Sequence, residues 1–186
     1  MTDYAEWGPL AGLIGEWEGD DGLDISWHNV EGELGETKFR EKSSMKGFGP
    51  VDNGTQSLYG LDYRMAAWRS GEENPFHTEV GFWLWDAADR AVCRCFMIPR
   101  GSTVLAGGVT TPDASSFTMS ADVGSETYGI LSNPYLEHTD RNRLRRIGYA
   151  RAQSRVIRFV SRPSSSIVVL PARSAAKNPA SFASRA

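Results

Sequence analysis

From Leu13 to about Ile130 the chain is a near-continuous succession of short β-branched and aromatic runs, broken roughly every ten residues by Gly, Asn, Asp or Pro. No segment there shows the apolar period of a helix. The pattern predicts strands at roughly 13–20, 23–29, 36–47, 56–69, 76–86, 90–98, 102–109, 114–122 and 126–132. The connections read as turns, among them Asp20-Asp21-Gly22, Pro50-Val51-Asp52-Asn53-Gly54 and Asp86-Ala87-Ala88-Asp89, so an antiparallel meander is expected. A meander this long must close on itself or fold into a sandwich to remove its edges. Closure into an all-β barrel around an internal apolar cavity is the favoured outcome. Residues before Gly12 suggest a short helical turn, capped at Thr2 or Asp3, that covers one barrel end.

Alternation assigns faces. On 56–69, Tyr59, Leu61, Tyr63, Met65 and Ala67 share one face. On 90–98, Cys93, Cys95 and Met97 stand opposite Val92, Arg94, Phe96 and Ile98. A core is available, with 40% apolar residues and six Trp, six Tyr and eight Phe.

The net charge of −3 conceals an asymmetry. Residues 1–136 hold 9 Lys and Arg against 21 Asp and Glu, a net −12, whereas 137–186 hold 11 basic residues and 2 acids, a net +9. Two units follow: a barrel over 1–136, and a basic C-terminal segment over 137–186 that is expected to be partly disordered. Within that segment only Val156–Val160 and Ile167–Leu170 could act as surrogate strands. Its basic residues lack interleaved aromatics, so no nucleic-acid partner is expected. With no leader pattern at Met1 and no run of 18 apolar residues, a cytoplasmic chain without a membrane partner is expected. Cys93 and Cys95 offer no disulfide framework and no zinc spacing.

Three places could carry chemistry. Gly15-Glu16-Trp17 opens the first strand, and a Trp that closes the barrel end is the favoured role for it. Pro75-Phe76-His77-Thr78-Glu79-Val80-Gly81-Phe82-Trp83-Leu84-Trp85 puts His77, Glu79, Gly81, Trp83 and Trp85 on one face. There His77 either approaches a flat ligand or is satisfied by Glu79. His138, in Glu137-His138-Thr139-Asp140-Arg141-Asn142-Arg143-Leu144, is either a solvated loop residue or an axial base for haem iron. His28 reads as a surface or rim residue. No Ser/His/Asp order, P-loop or dinucleotide fingerprint is present, which argues against a hydrolase.

Five blocks in order, namely Gly15–Gly19, Thr37–Glu41, Leu58–Tyr63, Pro75–Trp83 and Leu105–Gly108, resemble the nitrobindin-like haem-binding β-barrels, calycin-type barrels shaped like fatty-acid-binding proteins. The resemblance implies about ten strands, ferric haem b in a partly open cavity, nitric oxide binding and possible peroxynitrite isomerase activity. It implies a pocket that includes His77, with Tyr63, Met65 and Trp83, and a proximal iron ligand near the C-terminus, for which His138 is the candidate. The chain departs from the family pattern twice. Asp20-Asp21-Gly22-Leu23-Asp24-Ile25 replaces a Gly-x-Tyr-Pro-Thr-Ile stretch, and Glu137–Leu144 follows Leu136 without the two long strands expected between them. An internal deletion and a change of reading frame both account for the second departure. A haem-free carrier of an apolar small molecule is the alternative function, and either a monomer or a homodimer is compatible.

Overall fold

The computed structural model describes residues 4–28, 33–137, 154–160 and 170–171, with the side chains of 25–28, 34, 154–160 and 170–171 excepted. The protein is all-β apart from a helical lead-in, Ala5–Leu13, and a helical turn at 134–137. Its strands are β1 (Gly15–His28), β2 (Glu33–Asn53), β3 (Gln56–Arg69), β4 (His77–Asp86), β5 (Ala91–Ile98), β6 (Ser102–Val109), β7 (Ser116–Val123), β8 (Gly129–Ser132), β9 (Ser154–Val160) and β10 (Leu170–Pro171). They form one curled sheet in the order β1-β2-β3-β4-β5-β6-β8-β7-β9-β10.

From β1 to β6 every neighbouring pair is antiparallel and consecutive, as the turn spacing predicts. Two expected turns are bulges instead. Asp20 and Asp21 sit where the β1–β2 register shifts between Gly19 and Gly22, so β1 continues to His28. Pro50, which has no N–H for a ladder, is absorbed where the β2–β3 register shifts between Phe48 and Val51. The true reversal comes at Gly54-Thr55, between the paired Asn53 and Gln56, where Gly54 takes a φ of 64°.

Beyond β6 the meander gives way. Residues Ser102–Val104 of β6 pair with β8, while Gly107 pairs with Ser120 of β7. β8 runs parallel to β7 at Asp122–Val123. The connection between them is tight: the Asp122 amide donates to the Tyr128 carbonyl at 2.9 Å, and Tyr128 takes a φ of 53°. The C-terminal segment, in which the sequence offers Val156–Val160 as a surrogate strand, contributes β9, which pairs antiparallel with β7 from Ser116 to Asp122. β10 pairs with β9 at Leu170 and Pro171. Val156–Val160 thus lies in a strand; the segment 161–169 lies outside the described residues. Among the described residues no pairing joins β1 to β9 or β10, so the sheet is a half-barrel rather than a closed cylinder.

The concave face holds the core. Leu61, Trp83, Val92, Ala106, Met119 and Ala121 have no exposed surface, and Leu10 of the lead-in joins them. The lead-in seals one end: the Trp7 indole N–H donates to the Gly60 carbonyl at 2.9 Å, and its ring meets Tyr59 edge-on. Thr2 and Asp3, the expected caps, lie outside the described residues; Tyr4 precedes the helix and provides no side-chain cap.

Gly81 shows how closely β4 and β5 approach. A Cβ there would lie 2.0 Å from the Cys95 carbonyl oxygen and 2.6 Å from Cα of Phe96, both backbone atoms that cannot swing aside. Gly81→Ala is expected to cost about 1–3 kcal/mol, read as a lower midpoint in urea unfolding.

Candidate functional site: a charged cluster on the inner wall

The concave face is apolar except at one patch shared by β2–β5. Register sets Glu41 beside Ala67 and Ala67 beside His77, and in the next inward row Ser43 beside Met65 and Met65 beside Glu79. Tyr63 and Arg94 complete the patch. Tyr63, Glu79 and Arg94 are 3%, 8% and 1% exposed.

Four of these groups, Tyr63, His77, Glu79 and Arg94, are bonded to one another. The Tyr63 hydroxyl donates to Glu79 Oε2 at 2.9 Å and accepts from Arg94 Nη2 at 2.9 Å. Arg94 Nη2 also forms an ion pair with Glu79 Oε2. His77 Nε2 lies 3.0 Å from Glu79 Oε1. The Arg94 guanidinium stacks 4.3 Å from the Phe96 ring, 4.9 Å from Trp83 and 5.0 Å from Tyr63, an arrangement that favours a desolvated cation.

Protonation follows from these neighbours. Burial alone drives the Glu79 carboxyl upward, but the hydrogen bond with His77 and the charge of Arg94 outweigh it and hold the group below the usual carboxylate range. Burial raises Tyr63 above its ordinary value despite Arg94, so it stays a neutral donor. Glu41 is raised to about 7 by burial and by the Glu79 charge, against the pull of Arg94 and His77. On the opposite face burial pushes the Cys93 thiol up to about 12, with Cys95 adding to it, and burial likewise raises Cys95.

The residues singled out from the sequence meet here in part. His77, Tyr63 and Trp83 share the concave wall, and Met65 packs half-buried against the core. His77 lies on the concave face and is engaged by Glu79. His138 lies outside the described residues. Trp17 is half-buried on β1, its indole donating to the Leu13 carbonyl at 2.8 Å. Arg94, Glu41 and Ser43 were not anticipated as site residues. Their signal was present for Arg94, a cation alternating with Val92, Phe96 and Ile98 on a strand's apolar face.

The wall fits a flat, largely apolar group with polar edges. Leu61, Met65, Trp83 and Phe96 make up its apolar part, with Leu61 and Trp83 fully buried. Two buried polar atoms on the same wall, Ser43 Oγ and Arg94 Nε, have no hydrogen-bond partner among the described residues. No cluster of three or more His, Cys, Asp or Glu among the described residues is placed to hold a bare metal ion, so iron would need a prosthetic group to supply most of its ligands.

A curled antiparallel sheet around an apolar wall with one fixed imidazole defines a small-molecule-binding β-barrel. The family model described as "THAP4-like, heme-binding beta-barrel domain" matches residues 6–145, and the chain belongs to that family. This bears out the nitrobindin-like resemblance and the haem-binding class. No curated protein and no solved structure matches the chain.

Two outcomes test the cluster. Arg94→Met strands the Glu79 carboxylate and is expected to cost about 3–5 kcal/mol, whereas Glu79→Leu with Arg94→Met recovers most of that loss in chemical denaturation. For Glu41, whose folded value lies above the ordinary 4.5, stability is fully present below 4.5 and falls as pH rises towards about 7. The urea-midpoint advantage of Glu41→Gln over the parent should therefore be absent at low pH, open between those values and level off above them.

Proposed function

We propose that this chain binds haem b against the concave wall of β2–β5 and that the bound iron takes nitric oxide. The observation that carries the reading is the His77–Glu79 pair at 3.0 Å on the inner wall of a chain whose family is haem-binding. Glu79 fixes the imidazole plane and occupies Nε2, leaving Nδ1 without a bond to any described residue. His77 thus serves as a fixed neighbour of the bound gas rather than as the iron's own Nε2 ligand. Trp83, Met65 and Phe96 exclude water from the haem face, and Tyr63 acts through Glu79 to hold the imidazole in place. His138 is the proposed axial ligand, and it lies within the stretch that the family model matches. When bound, haem would supply the iron centre for the reaction that we propose, the redox-neutral isomerisation of peroxynitrite to nitrate.

A second reading is supported by the same bond. With Nε2 already engaged, the wall is also complete as a haem-free site for an apolar small molecule, where burial gives affinity and the polar cluster gives orientation.

Haemin titration of the purified chain separates the two. Under the haem reading a Soret band appears, shifts on adding nitric oxide and is lost in His138→Ala, while His77→Ala keeps the band and alters the nitric oxide-bound spectrum. A chain that gives no Soret band is a carrier of the second kind, and a band that survives in His138→Ala removes that residue's role.

A further inference from the structure

Few cations of this barrel face inward. Of the nine basic residues in 1–136, Lys38, Arg40, Lys42 and Lys46 of β2 and Arg64 of β3 alternate to the convex side, and Arg90 and Arg100 lie in turns. Only Arg69 and Arg94 stand at inward positions, in step with Ala67 on β3 and Phe96 on β5. Arg94 is sealed in the wall and already neutralised by Glu79. Arg69, the last residue of β3, keeps 47% of its side chain exposed, at the end of the sheet opposite the lead-in.

Arg69 sits on an aromatic shelf to which β1, β2 and the start of β4 contribute. Its guanidinium lies 4.6 Å from the centroid of the Phe76 ring, and Phe76 meets Phe39 edge-on at 5.9 Å. Phe39 is the register partner of Arg69 on β2. The Phe39 ring in turn covers Gly22 of β1, where a Cβ would come within 2.5 Å of it. The Phe76 amide donates to the Ala67 carbonyl at 3.0 Å, which ties the shelf to β3. The next inward row holds Glu41, Ala67 and His77, so the shelf adjoins the charged cluster. Among the described residues Arg69 forms an ion pair with Glu72 alone, at 3.5 Å and half-exposed on both sides, a pair that contributes little in water. A guanidinium seated on a ring leaves its N–H edge for a planar anion, and that edge matches the two oxygens of a carboxylate.

We propose that Arg69, seated over Phe76, receives the carboxylate of the ligand bound on the concave wall, so that the site selects apolar molecules carrying an acid group at one edge. The inference rests on the binding proposed above for that wall and names the ligand class it favours. Residues 1–136 carry a net charge of −12, so an anionic group approaching the barrel needs local compensation. Arg69 is the one inward cation with exposed surface to provide it. Phe39 and Phe76 extend the apolar wall to that cation, which lets the body of a ligand stay on apolar surface while its acid reaches the guanidinium. A haem propionate and the head group of a long-chain fatty acid offer the same chemistry.

Equilibrium binding to the full-length chain tests this with two pairs of probes: haemin and its dimethyl ester, followed by quenching of tryptophan fluorescence, and cis-parinaric acid and its methyl ester, followed by probe fluorescence. In at least one pair the parent should bind the acid about fivefold more tightly than the ester, and added salt should shrink that preference. A preference confined to haemin assigns Arg69 to a propionate, and one confined to parinaric acid assigns it to a fatty-acid head group. Arg69→Gln should abolish the preference by weakening the acid while the ester binds as before, and Arg69→Lys, which keeps the charge without the planar fork, should retain part of it. If Arg69→Gln fails to fold by circular dichroism, the parent's acid and ester affinities decide alone. A parent that binds acid and ester equally overturns the proposal, and so does an Arg69→Gln variant that weakens both alike, the mark of a merely structural residue. Either result leaves binding at the concave wall standing. A chain that takes none of the four probes refutes that binding, and this inference with it.

Discussion

A guanidinium with almost no exposed surface sits inside this sheet, and the arrangement of β3, β4 and β5 is bound to it. Taking Arg94 and Glu79 out of water costs several kcal/mol per ion, and only geometry that satisfies both at once makes their burial tolerable. Tyr63 supplies one bond to each, His77 takes the second carboxylate oxygen, and three aromatic rings surround the cation. These partners come from three adjacent strands. A slip of one residue in either pairing would turn one side chain of the cluster to the outer face and leave its partner charged and buried. The cluster therefore specifies register as well as furnishing the polar patch of the inner wall.

The opposite end of the sheet has no comparable anchor. β8 is short, shares β6 with β7, and runs parallel to β7. One edge of β7 is paired with β9 from the basic segment. Backbone pairing is indifferent to the origin of a strand so long as its donors and acceptors meet, and Ser154–Val160 has the β-branched and aromatic content for the role.

Much of this was legible from the residues, and the exceptions have physical causes. β3 and β6 are found where alternation and turn residues put them, because each is bounded by strong turn signals. Asp20-Asp21-Gly22 and the stretch around Pro50 carry the same composition as turns, yet both are bulges, since a long twisted strand can absorb an extra residue where a break would otherwise occur. His77, Tyr63 and Trp83 were readable as one wall by counting in twos. Arg94 was not read as its centre, because a single cation on an apolar face acquires meaning only once register shows that Glu79 and Tyr63 lie across from it. The parallel placement of β8 had no sequence signal, since it depends on the loop conformation at Tyr128.

The two thiols illustrate what position on the convex wall does to chemistry. Cys93 and Cys95 are two residues apart, unpaired and on one face. With the Cys93 thiol pushed up to about 12, its thiolate fraction at neutral pH is on the order of one in a hundred thousand. A sulfur in that state is a poor nucleophile towards peroxides, disulfides and alkylating agents alike. Burial in the convex wall thus leaves Cys93 a sulfur of low reactivity towards oxidants.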